Sequence, residues 1–109
     1  MSASVRQGDI FWCVEAGKKP VLVLTRNSAI HFLDSLMVAP LTRALLEVPS
    51  FVNLGNVAEL GNVAVNLDAI QTVEKKNLQG FIATLSKEQM LGVREAVQFA
   101  MGFDDVDEE

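Results

Sequence analysis

Apolar and polar residues alternate with a period of two along most of the chain, and only near its end does the period become helical. Ile10, Trp12 and Val14 fall on one side of the first alternation and Phe11, Cys13 and Glu15 on the other, the pattern of a strand buried on both faces. A turn is expected at 16–20, where Gly17 frees the backbone and Pro20 restricts Lys19 to extended geometry. The β-branched run 21–25 then completes a hairpin. Residues 29–34, with His31, read as one helical turn, and 35–42 as a third strand. Pro40 has no ladder donor and marks an edge, a bulge or a strand end. After a connection at 43–47, a fourth strand is expected at 48–54. Leu54-Gly-Asn-Val-Ala58 is echoed by Leu60-Gly-Asn-Val-Ala64, which reads as two Gly-Asn turns around a short excursion and not as a solenoid repeat. Strands at 63–67, 70–73 and 81–85 follow, with a polar turn at 75–77.

The switch of period falls at Ser86. Ser86 and Gln89 have capping-box spacing, and Glu88 sits near the positive end of the helix dipole. Met90, Val93, Val97, Ala100 and Met101 recur at helical spacing and read as core packing, while Gly102 is placed to stop the helix. Short strands, connections too short for parallel crossovers and one closing helix predict a mainly β (α+β) fold, a small SH3-like barrel with a C-terminal helix.

Composition fits a single barrel domain at 1–103, since 109 residues with half of them hydrophobic suffice for one core. The formal charge is −5, yet five of the fourteen acids lie in a tail at 104–109, leaving nine acids against nine bases in the body. A polyanionic partner is therefore compatible with the body, and the tail reads as a solvated terminus. Cys13 is alone and, with the single His31, gives no metal-ligand spacing, so no metal or cofactor is expected. The N-terminus has no apolar run of signal-peptide length and no stretch is long enough to span a membrane, which makes the cytosol the expected address.

Nucleotide-binding glycine loops and nucleophile elbows are missing as well. The remaining candidates for chemistry stand at strand ends: Lys18, Lys19, Arg26, Thr42, Arg43, Ser50, Asn66, Asp68, Gln71 and Thr72. By themselves they read as solvated turns and edge-strand polar residues. Taken in order, Arg6-Gln-Gly-Asp-Ile10 before Trp12, Gly17-Lys-Lys-Pro-Val-Leu-Val-Leu24, Val38-Ala-Pro-Leu-Thr42, Val48-Pro-Ser50, Asn66-Leu-Asp-Ala-Ile-Gln-Thr-Val73 and Leu85-Ser-Lys-Glu-Gln-Met90 resemble the MazF/PemK/Kid family across residues 5–102.

The resemblance implies a toxin of a type II toxin-antitoxin system. It implies a homodimeric barrel that cuts single-stranded RNA at short sequences without metal, and a cognate antitoxin whose disordered C-terminal segment blocks it. It assigns catalysis to Lys19, Thr42 and Asp68. Lys19 stands where an arginine is usual, Gln71 replaces another arginine, and the loop between the first two strands is short. Lys18, Arg26, Arg43, Ser50, Phe51, Asn66 and Gln71 are the expected RNA-binding residues, with Phe51 as a base platform or a core residue. His31 reads as a surface residue. Two alternatives share the barrel: a gyrase-binding toxin similar to CcdB, for which Met101-Gly-Phe103 is a partial match, and a degenerate, non-catalytic MazF-like binding protein.

Overall fold

The computed structural model describes residues 4–15 and 17–103; the acidic tail at 104–109 lies outside them. Strand β1 (Asp9–Cys13) and strand β2 (Lys19–Val23) form the expected hairpin, with Phe11 opposite Val21 and Cys13 opposite Lys19. Helix α1 (Asn27–Ile30) is one turn, placed two residues earlier than its expected start at 29. It leads into β3 (Ser35–Thr42), the bounds predicted for the third strand. Next come β4 (Phe51–Asn56), β5 (Asn62–Asn66), β6 (Gln71–Glu74) and β7 (Leu78–Thr84), and α2 (Lys87–Ala100) closes the described chain. The strands pair antiparallel in the order β4-β5-β3-β2-β1-β7, with β6 also on β3, giving a curled half-barrel sheet with a C-terminal helix. The barrel-with-helix expectation is met.

β3 organises the sheet. One of its edges carries β2, and the other carries β6 along Ser35–Val38 and β5 along Leu41–Thr42. Between them the chain makes a 3-10 turn at Leu67–Ala69. Pro40, without an N–H, therefore sits inside a central strand where its neighbour changes from one strand to the next, which explains how a proline is tolerated there.

The two faces of the sheet carry separate apolar clusters. Ile10, Leu22, Ala39, Leu41, Val63, Val65 and Leu67 pack with Val93 and Ala96 of α2. Phe11, Cys13, Val21, Val23, Leu36, Val38 and Val73 pack on the other face with Ile30 of α1. Helix α2 begins as its sequence predicts: the Gln89 backbone N–H donates to Ser86 Oγ at 3.1 Å, and the Ser86 N–H donates to Gln89 Oε1 at 2.8 Å. Of its apolar stripe, Val93 is buried and Met90, Val97 and Ala100 are half-buried; Met101 is exposed, and the small Ala96 takes the buried place instead.

Two strand starts shift by three residues from expectation. The fourth strand starts at Phe51 and not at 48, because Phe51 donates its N–H back to the Val48 carbonyl and makes 48–51 a turn. The last strand begins at Leu78, three residues early, where Gln79 and Gly80 together oppose Trp12 in a bulge. The Gly-Asn pairs at 55–56 and 61–62 do bracket a short excursion, the 3-10 turn Ala58–Leu60 at the tip of the β4-β5 hairpin.

Candidate functional site

Register determines which polar side chains share a surface. Val21 pairs with Pro40 between β2 and β3, and continuing that register two residues sets Lys19 level with Thr42. Side chains of level residues in an antiparallel pair lie on the same face. Thr42 in turn pairs with Ala64 on β5, and Asn66 follows Ala64 on that face and pairs with Phe51 on β4. Lys19, Thr42, Asn66 and Phe51 thus share the sheet face opposite α2, at the end away from α1.

Thr42 Oγ1 accepts the Ala44 N–H at 3.1 Å, which fixes its rotamer and leaves its own hydroxyl hydrogen to donate elsewhere. Lys19 is exposed and has no hydrogen bond or ion pair among the described residues. Arg43 is exposed beside Thr42. Lys18 is held away from Lys19, its Nζ lying 4.9 Å from the centre of the Trp12 ring. Trp12 packs against the α2-side cluster and is not a free base platform.

Asp68 lies on the 3-10 turn directly after β5. Its N–H donates to Asn66 Oδ1 at 2.9 Å, and its Oδ2 accepts the Ser50 hydroxyl at 2.6 Å. The Leu67 N–H donates to the Ser50 carbonyl at 2.9 Å, so Ser50 ties the start of β4 to this turn. Ser50 is only 3% exposed. Its expected contact with RNA gives way to an internal one, a role that sequence alone did not reveal. No hydrogen bond or ion pair joins Asp68 to Lys19 or Thr42.

Two expected site residues stand apart. Arg26 precedes α1, beyond the far end of β2 from Lys19. Gln71 pairs with Val38, four residues along β3 from Thr42, or roughly 13 Å at strand rise. His31 is exposed at the C-terminus of α1. Its neighbours belong to a cleft of about 880 Å³ lined by Lys75, Lys76 and Phe81. Among the described residues, no three His, Cys, Asp or Glu side chains converge on a possible metal position, and no helix is long and apolar enough to cross a membrane.

A half-barrel sheet closed by one helix, with a lysine and a hydroxyl level with each other on one face, defines a small β-barrel protein. Its family is then settled by comparison: residues 6–101 match the PemK-like, MazF-like toxins of type II toxin-antitoxin systems, and the chain belongs to that family. It is 32% identical over 105 residues to the probable endoribonuclease MazF5 of Mycobacterium tuberculosis, covering 93% of this chain and 96% of that protein. The fold is similar to that of the M. tuberculosis toxin MazF-mt6, with TM-score 0.80 at 25% identity over 86% of this chain and 96% of the other. A mycobacterial endoribonuclease in complex with its cognate antitoxin superposes with TM-score 0.82 at 24% identity, over 91% and 96% of the two chains. MazF from the MazE-MazF complex of Deinococcus radiodurans shares the fold at 19% identity, TM-score 0.78, over 93% and 98%.

Proposed function

We propose that this toxin is an endoribonuclease that cuts single-stranded RNA without metal, through attack of the 2′-hydroxyl on the adjacent phosphate. The observation that supports the reading is the register that brings Lys19 level with Thr42, a cation and a hydroxyl donor on one open face. The 2′-oxygen forms a bond to phosphorus as the bond to the 5′-oxygen breaks, leaving a 2′,3′-cyclic phosphate and a free 5′-hydroxyl. The Lys19 ammonium stabilises the added negative charge of the phosphorane and donates a proton to the departing oxygen. Thr42 donates its hydroxyl hydrogen to a phosphate oxygen. Asp68 has one oxygen engaged by Ser50 and one without a partner among the described residues, and the free oxygen accepts a hydrogen bond or proton from the sugar. Arg43 steers the strand through its backbone.

Relatives described as an endoribonuclease with its cognate antitoxin and as MazE-MazF complexes support a cognate antitoxin as partner for this chain. A homodimer acting in the cytosol completes the reading. The test is incubation of the purified protein with a mixed RNA pool in EDTA, beside Lys19→Ala and Thr42→Ala. Cleavage should survive the chelator and fall on the order of 100-fold or more in each variant, as for loss of an oxyanion donor. Cleavage that ignores both substitutions rejects the reading.

A further inference from the structure

We infer that Glu15 is a positioning residue for Lys19: it braces the β1-β2 turn so that the ammonium stays level with the Thr42 hydroxyl. The inference rests on the ribonuclease reading above. Lys19 is the first residue of β2, and direct support from β3 stops before reaching it. The β2-β3 ladder ends at Val21 and Pro40, two residues short of Lys19 and Thr42, where a proline supplies no N–H. On its other side Lys19 pairs with Cys13, the last residue of β1. Lys19 is therefore held only as firmly as the end of β1 and the turn that follows.

Glu15 ties down that end. Its Oε2 accepts the Glu74 N–H at 2.8 Å and Asn77 Nδ2 at 3.0 Å, beside a backbone bond from the Val14 N–H to the Asn77 carbonyl at 3.0 Å. A carboxylate makes the stronger kind of acceptor for such donors. Glu74 in turn pairs with Ser35 of β3, the strand that ends in Thr42. The contacts close a ring, from Lys19 through Cys13 and Glu15 to Glu74 and back along β3 to Thr42. The connection that Glu15 grips is itself anchored, since the Lys75 N–H donates to the Asp34 carbonyl at 2.7 Å and Lys75 Nζ to the Ile30 carbonyl at 2.8 Å. At the far end of the turn, Lys18 Nζ sits 4.9 Å from the centre of the Trp12 ring, and alternation along the strand sends Lys19 to the opposite face.

The experiment is a double-mutant cycle on single-turnover RNA cleavage: wild type, Glu15→Ala, Lys19→Ala and the double variant, with Glu15→Gln as the conservative change. Glu15→Ala should slow cleavage by about tenfold, within the roughly 100-fold that a misplacement of about 1 Å can cost. Glu15→Gln should restore most of the rate, because its amide oxygen still accepts both N–H groups. In the Lys19→Ala background, Glu15→Ala should change the rate by less than about twofold, since the side chain it positions is gone. An equal loss with and without Lys19 is a purely structural effect and overturns the inference, as does an unchanged rate in Glu15→Ala. If Glu15→Ala does not fold, Asn77→Ala, which removes one of the two donors, takes its place in the cycle and is read the same way. If the wild type cuts nothing, the ribonuclease reading falls. In that case, or where Lys19→Ala is too slow to time, the same cycle on affinity for a 2′-O-methyl oligonucleotide decides the role of Glu15. Weakening by Glu15→Ala that requires Lys19 supports it, and weakening independent of Lys19, or none, rejects it.

Discussion

The Ser50 hydroxyl donates to Asp68 Oδ2 across 2.6 Å, joining the start of β4 to the turn that separates β5 from β6. Ser50 is buried, and a hydrogen bond from it to an ionised carboxylate is among the stronger kinds. Ser50→Ala should lower stability by about 2 kcal/mol, read from the urea midpoint, and Ser50→Thr should recover part of it. An unchanged midpoint in Ser50→Ala would contradict this role.

Lysine at position 19 carries charge without the planar fork that lets arginine hold two phosphate oxygens at once. Lys19→Arg is accordingly expected to bind RNA several-fold more tightly and to lower kcat, since a guanidinium grips the phosphate but does not give up its proton to the departing oxygen. A faster Lys19→Arg would contradict the assignment of proton donation to Lys19.

Glu15 links the end of β1 to the β6-β7 connection: its Oε2 accepts from Asn77 Nδ2 at 3.0 Å and from the Glu74 N–H at 2.8 Å. The side-chain bond from Asn77, then the backbone bond from Glu74, holds the Glu15 carboxyl below its usual 4.5. A group depressed on folding adds stability above its unfolded pKa and loses it as the pH falls through the folded one. Against Glu15→Gln, the wild type should keep its advantage at neutral pH and lose it below about pH 4.5. Denaturation midpoints of the two proteins from pH 7 to pH 3 measure this, and a gap that widens on acidification would contradict it.

Gly80 has φ +100°, and a Cβ there would stand 3.2 Å from Trp12 Cδ1. Gly80→Ala combines left-handed strain with a clash against a packed ring, and should cost about 1–3 kcal/mol. Gly61, at φ +73° with nothing within 4 Å of the added Cβ, carries only the strain. Thermal unfolding should therefore show Gly80→Ala to be the more damaging of the two, and equal losses would mean that Trp12 yields freely.

Local chemistry made much of this fold legible. The capping box of Ser86 and Gln89 rests on contacts within three residues, and the β1-β2 hairpin and the bounds of β3 were signalled by alternating or β-branched runs and the turn residues beside them. The turn at 48–51 was hidden because Val48 and Phe51 are both β-prone and the deciding bond is a backbone one. In the candidate site, Lys19 and Thr42 were readable by motif, whereas the pairing of Phe51 with Asn66 depends on a register between strands that no local pattern encodes. The same reason removes Arg26 and Gln71 from the cluster: both stand at strand ends, but at other ends. Ser50 read as a surface contact because polar residues at strand ends are mostly solvated, and only the fold shows the carboxylate that accepts its hydroxyl.

The most direct measurement is the chemistry of the cut ends. RNA fragments released by the wild type in EDTA, analysed by mass spectrometry, should carry 2′,3′-cyclic phosphate and 5′-hydroxyl termini, and their yield should fall on the order of 100-fold or more with Thr42→Ala. Fragments ending in 3′-hydroxyl and 5′-phosphate, or cutting that stops when metal is removed, would contradict a Lys19-Thr42 face acting through the 2′-hydroxyl.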